Sequence, residues 1–229
     1  MLDSRKELIL KILIEEYIRC AEPVGSKVLN EQFDLGVSAA TIRNEMAVLE
    51  GEGYLVAPHT SAGRVPTEKA YVYYLKHLVE KKVSTLVKAL PVPDEDNTQS
   101  ALKSVVKTLG EVSGETAILA FNDEWSYYSG VANLFHKPDF QNLAIIMELS
   151  DVIDQFDELL MGLFARAGQE PHVWIGSENP FGSQMATVVV RYQIHSGEEG
   201  FVGVTGPLRM NYRRNLALVE SARNVIEQL

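Results

Sequence analysis

A single cysteine, Cys20, is the whole thiol inventory of this 229-residue chain, so no disulfide can close within it. That fits a reducing compartment, and a cytoplasmic location is expected. The five histidines (His59, His77, His136, His172 and His195) share no ligand spacing with one another or with Cys20, so no metal is expected. No phosphate-cradling glycine loop of the Walker or dinucleotide type occurs, and no cofactor is expected. Long apolar runs are missing too. The densest one near the start, residues 8–14, is broken by Lys11 and followed by Glu15 and Glu16. It reads as one face of a helix, neither an export signal nor a membrane span, and no membrane partner is expected. The adjacent acids Asp123-Glu124 and Glu198-Glu199 fall at turns, where solvation is expected rather than acid–base work. The chain is therefore not expected to be an enzyme.

An excess of positive charge is lacking as well: the formal net charge is −10. Nucleic-acid binders are often basic, but the distribution answers most of that objection. Residues 1–83 carry 11 basic and 12 acidic side chains, while residues 84–229 carry 10 and 19. The acidity belongs to the second part of the chain. Charge screening over about 8 Å at physiological salt makes the local potential the one a duplex would meet. Between residues 58 and 67 there is Arg64 and no acid, and Lys69, Lys76, Lys81 and Lys82 follow.

What is present concentrates in residues 37–67. Ser38 is a good N-cap, and Ala39, Ile42, Met46 and Leu49 then recur at steps of three and four, predicting an amphipathic helix. Ser38, Ala40, Thr41, Arg43 and Asn44 lie off its apolar face near the start, where short polar and guanidinium side chains can reach base edges in a major groove. Upstream, a helix over residues 2–19 and a short one over 26–33 are separated by Pro23 and Gly25. Downstream, residues 54–57 are strand-like and Ser61-Ala62-Gly63 turns the chain back to Val65. Helix, turn, short helix, turn and capped helix followed by a small hairpin is a winged helix-turn-helix, with His59, Ser61 and Arg64 in the wing.

A tyrosine-rich helix is predicted from Thr67 to about residue 82, its Tyr71, Tyr73 and Tyr74 packing on the first helix or a partner subunit rather than stacking on bases. The prolines and acids of residues 91–97 then read as a linker. Residues 1–83, 84–100 and 101–229 are thus expected as DNA-binding head, linker and second domain.

The second domain reads as mixed α and β. A helix through Leu102, Val105, Val106 and Leu109 precedes strands over 116–121 and 125–131, then helices over 140–149 and 152–167. Residues 185–195 alternate, with Val188, Val190, Tyr192 and Ile194 on one face and Thr187, Val189, Arg191 and Gln193 on the other. A turn over 196–200 returns the chain into a strand over 201–205, and a helix holding Leu216, Val219, Ala222 and Ile226 closes the chain. The expected fold is α+β, an antiparallel sheet with packed helices behind the winged head. Glu178, Asn179 and Arg209 fall in two loops at strand ends, either a pair of turns tied by a Glu178–Arg209 salt bridge or the edge of a ligand pocket.

Two blocks resemble the heat-inducible transcription repressor family, HrcA: Ser38-Ala39-Ala40-Thr41-Ile42-Arg43-Asn44-Glu45-Met46 with Leu49-Glu50, and Pro58-His59-Thr60-Ser61-Ala62-Gly63-Arg64-Val65-Pro66-Thr67-Glu68-Lys69. Tyr128-Ser129-Gly130 with Asn133-Leu134, Ile175-Gly176-Ser177-Glu178-Asn179, and Gly206-Pro207 with Arg209-Met210-Asn211-Tyr212 are similar to elements of that family's GAF-like domain. The chain departs in two places. It has no room for the family's dimerising insertion, and Ala70-Tyr71-Val72 stands where the family has Gly-Tyr-Arg. The resemblance implies a dimeric repressor of heat-shock chaperone genes that binds double-stranded DNA at an inverted-repeat operator and is modulated by the chaperonin. An alternative is a regulator with the same head whose second domain senses a metabolite, and a third reading is an interaction adaptor that has left DNA. Retention of Thr41, Arg43, Asn44 and Arg64 speaks against the third.

Overall fold

The computed structural model describes residues 2–59, 62–79, 90–95, 97–122, 125–164 and 166–229, the side chains of 144 and 148 excepted. The chain divides into two compact units, Met1–Val79 and Glu80–Leu229.

The first unit opens with α1 (Ser4–Cys20), capped by the Asp3 carboxylate, which accepts from the Lys6 N–H, and ended by Ala21 in the left-handed region. Ile9, Leu10, Leu13 and Ile14 form its buried stripe. The short α2 (Ser26–Gln32) contributes Leu29, and α3 (Ala39–Gly51) contributes Ile42, Met46 and Leu49, so α3 packs against both earlier helices. Strands β1 (Leu55–Val56) and β2 (Val65–Pro66) pair antiparallel, with Leu55 opposite Pro66.

Helix α4 (Glu68–Tyr73), capped by Thr67, widens into a π-helical turn over Tyr74–Leu78. The expected helix beyond residue 79 lies outside the described residues. The π turn has a visible reason. Tyr73 donates to Glu7 at 2.6 Å and Tyr74 to Glu15 at 3.2 Å, so two consecutive side chains both address α1, which the angular step of an α-helix does not favour. The tyrosines thus pack on the first helix. Burial, then the Glu7 bond, holds the Tyr73 phenol above its ordinary pKa.

In the second unit, α5 (Thr98–Ser113) is capped by Asn97 and closed by Gly114 at φ +69°. Part of the expected linker belongs to this unit: Leu90 is buried and its N–H donates to the Ser221 hydroxyl at 2.9 Å. Five strands follow, β3 (Thr116–Phe121), β4 (Trp125–Ser129), β5 (His172–Ile175), β6 (Met185–Gln193) and β7 (Glu199–Pro207), in the order β4-β3-β7-β6-β5 and antiparallel throughout. The expected hairpin pairs Gln193 with Glu199, so its second strand starts two residues earlier than read from the sequence.

Between β4 and β5 lie α6 (Ala132–His136), a 3-10 turn over Pro138–Phe140, α7 (Leu143–Asp154) and α8 (Phe156–Phe164); α9 (Tyr212–Ile226) ends the chain. The break between the two long helices falls at Gln155, later than expected. Helices cover both faces of the sheet: α5 and α9 on one, α8 and α6 on the other. In the middle of β6, Thr187, Val188, Val189 and Val190 are accordingly all fully buried. Arg191 survives there because its guanidinium donates to the Ala167 and Phe164 carbonyls and pairs with Glu199.

The middle strand β7 is thin. A Cβ at Gly200 would collide with the Ala120 carbonyl and the Tyr192 ring, one at Gly203 with the Val188 carbonyl, and one at Gly206 with the Glu115 carboxylate. Backbone approach of this kind is the reason glycine stands in a strand interior.

Candidate nucleic-acid interface

Helix α3 presents two faces. Ile42 and Leu49 are fully buried, whereas Ser38, Ala40, Arg43, Asn44, Ala47 and Val48 are exposed. The Ser38 hydroxyl caps the helix by accepting from the Thr41 N–H at 3.2 Å and lies 3.1 Å from the Thr41 hydroxyl. Arg43 and Asn44 follow one turn on, and no ion pair among the described residues holds the Arg43 guanidinium. Glu45, on the flank, sits 3.6 Å from Arg5 and 3.5 Å from Lys6, tying α3 to the start of α1.

A cleft of about 460 Å³ runs beside this face, lined by Gly25, Ser26 and Lys27, by Arg43 and Met46, and by Ala62, Gly63 and Arg64. His59 is exposed in the turn between β1 and β2, and Ser61 lies outside the described residues. Arg64 does not point freely outward: its Nη2 is 2.8 Å and its Nε 2.9 Å from the same Glu50 oxygen, and Nη1 lies 3.4 Å from the Ala62 and Gly63 carbonyls. Its backbone exchanges hydrogen bonds of 2.8 and 2.9 Å with Val24. Lys69 is likewise engaged, donating to the Glu52 carbonyl at 2.7 Å above the Tyr54 ring. It caps the C-terminal end of α3, where a cation suits the helix dipole.

The loops of the second unit differ from expectation. Arg209 turns onto Asp139, with Nε and Nη2 both 2.8 Å from its carboxylate, and Glu178 is exposed at the end of the 3-10 turn Gly176–Glu178. The expected Glu178–Arg209 pair is therefore replaced by Arg209–Asp139, because that turn faces Glu178 to solvent. Asn179 is buried and structural. It donates to the Trp174 carbonyl and the Thr187 hydroxyl and accepts from the Phe181 N–H, while Thr187 continues the chain of bonds to Thr205.

Sequence reading missed Glu115, buried beside Gly206 and 3.2 Å from Lys137. Burial holds its carboxyl above the ordinary glutamate range, and Lys137 opposes that shift. The nearby apolar hollow between α7 and the start of β6 measures about 50 Å³. Drug-sized ligands occupy pockets of roughly 300–1,000 Å³.

The family model for the HrcA protein C terminal domain matches residues 67–216. The chain belongs to the HrcA family. A heat-inducible transcription repressor HrcA of Bifidobacterium adolescentis is 42% identical over 132 residues, which is 52% of this chain and 33% of that relative. Against these first relatives the match therefore spans only a third of their length. The HrcA of Carboxydothermus hydrogenoformans aligns over all of this chain and 98% of its own length at 25% identity. That alignment runs over 336 positions against 229 residues here, so roughly a hundred of them face gaps in this chain. A solved structure described as a hypothetical protein at 2.2 Å resolution superposes with a TM-score of 0.77 at 19% identity, covering 99% of this chain and 98% of that one. It shares the fold. These HrcA relatives are named as transcription repressors, not as enzymes.

Proposed function

We propose that the first unit is a winged helix-turn-helix head and that this HrcA-family chain is a sequence-specific repressor acting on double-stranded DNA. The observation that carries the reading is the division of α3: a buried Ile42, Met46 and Leu49 stripe opposite an exposed Ala40, Arg43 and Asn44 ridge that begins at a capped N-terminus. A helix N-terminus carries partial positive charge and free N–H groups, so it receives phosphate while the side chains behind it reach base edges. In this reading Ser38, Ala40, Thr41, Arg43 and Asn44 face the major groove. His59, in the turn after β1, lies along the sugar–phosphate backbone or minor groove, and Ser61 is assigned the same role from its sequence position alone.

An inverted-repeat operator demands a two-fold protein, since each half-site is read by one copy of the helix. We therefore place the chain as a homodimer in the cytoplasm, controlling heat-shock chaperone genes, with the second unit as a GAF-like dimerisation or regulatory domain and the chaperonin as a modulator. Metabolite sensing ranks second: among the described residues of the second unit, the hollow beside α7 is far smaller than a drug-sized ligand pocket. Fluorescence anisotropy with the family's inverted repeat and a scrambled duplex, each at two salt concentrations, tests the reading. Equal and weak binding to both duplexes would end it.

A further inference from the structure

Arg64 ties its own hairpin to two other parts of the first unit. Its side chain joins Glu50 in the last turn of α3, 14 residues back, and its backbone bridges Val24 in the turn between α1 and α2. It also sits one residue past Gly63, where a Cβ would collide with the Val24 backbone. The Arg64 side chain is 24% exposed, and both edges of its guanidinium that meet Glu50 or the local carbonyls are already committed. A phosphate could take it only by displacing Glu50.

Resting on the DNA-binding reading above, we propose that Arg64 is a positioning residue: through Glu50 and Val24 it fixes the angle between the wing and the recognition helix, and it does not itself hold a phosphate. Two half-exposed charges on a surface contribute little to global stability. Their value lies in register. A wing free to rock against α3 would meet the backbone of the duplex out of phase with the bases that Arg43 and Asn44 address.

Glu50→Gln separates this idea from plain electrostatics by sign. If Arg64 held phosphate, removing the Glu50 charge would free the guanidinium and tighten binding. As a positioning pair, Glu50→Gln and Arg64→Gln each weaken operator binding roughly three- to tenfold, the double variant is no weaker than either alone, and the slope of log affinity against log salt stays unchanged. Arg64→Lys, which keeps the charge but not the two-pronged geometry, fails to rescue. Hydrogen exchange at the Val24 and Arg64 amides, measured on the full chain without DNA, rises in Glu50→Gln while the helices stay protected.

Tighter or unchanged binding by Glu50→Gln overturns the proposal, as does a salt slope that falls by about one in Arg64→Gln. A Glu50→Gln protein that loses thermal stability but binds normally also overturns it. If the unaltered protein itself shows no preference for the inverted repeat, the DNA-binding reading fails instead, and the exchange result still decides whether the brace exists.

Discussion

Gly63→Ala offers a direct test of how the β1–β2 hairpin is seated. A Cβ built on Gly63 would lie 2.5 Å from the Val24 carbonyl oxygen and 2.7 Å from the Pro23 carbonyl carbon. All of its near neighbours are main chain, so nothing can swing aside. Relief requires the β1–β2 hairpin to retreat from the α1–α2 turn by about 1 Å, enough to break both Val24–Arg64 hydrogen bonds. Those bonds contribute about 1 kcal/mol each. Partial exposure of Val24, now 2% exposed, adds about 1 kcal/mol more. The expected destabilisation is therefore about 2–4 kcal/mol, a range typical of backbone clashes at packed positions. Hydrogen exchange resolved by segment is the suitable assay: residues 20–28 and 54–70 should lose protection. Both tryptophans, Trp125 and Trp174, lie in the second unit, so a urea transition followed by tryptophan emission should not move. Gly51→Ala is the control, because a Cβ there meets nothing within 4 Å. It should be neutral or slightly stabilising. Native protection of both segments in Gly63→Ala would refute the reasoning.

Arg43→Ala should weaken operator binding by about 1–3 kcal/mol and relax specificity at one base pair, read by anisotropy over a set of single-base operator variants. Uniform weakening over all sequences would instead mark Arg43 as a phosphate contact. Asn179→Ala removes three hydrogen bonds from a buried site and should cost about 3 kcal/mol, seen as a lower urea midpoint by Trp174 fluorescence. Glu115→Gln should alter the pH dependence of stability. The folded carboxyl titrates above the ordinary glutamate range because it is buried, so between that range and the folded value the unfolded chain has already lost its proton. Stability is present at lower pH and is lost as pH rises through this window. Glutamine should abolish that decline, and a superimposable pH profile would contradict it.

Local chemistry made much of the fold legible. Ser38 capping, the Ile42, Met46 and Leu49 stripe, the Leu102, Val105, Val106 and Leu109 stripe and the β6–β7 hairpin all express interactions between residues a few positions apart. The α7–α8 break was harder to place because no proline or glycine stands between Leu143 and Met161 to mark a stop. Strand β5 is only four residues long, and α6 five, below the length at which periodicity speaks. At the candidate site, exposure of Arg43 and Asn44 followed from helical spacing. The partners of Arg64 and Arg209 did not: Glu50 is 14 positions away and Asp139 70, and charge alone offers each arginine many choices. That both sheet faces are covered was not legible in β6 itself, since alternation reports which side chains share a side but not what lies over them.

The bare backbone of β7 carries a consequence for evolution and engineering alike. At Gly200 and Gly203 even one methyl group would meet a neighbouring main-chain carbonyl and wedge the sheet apart, whereas at Gly206 it would have to push aside the Glu115 carboxylate. A saturation library should show a barrier to alanine at the first two positions and a softer one at the third, in a stretch where the intervening valines accept isoleucine far more readily. Conservation along this strand would then record what must be missing rather than what must be present.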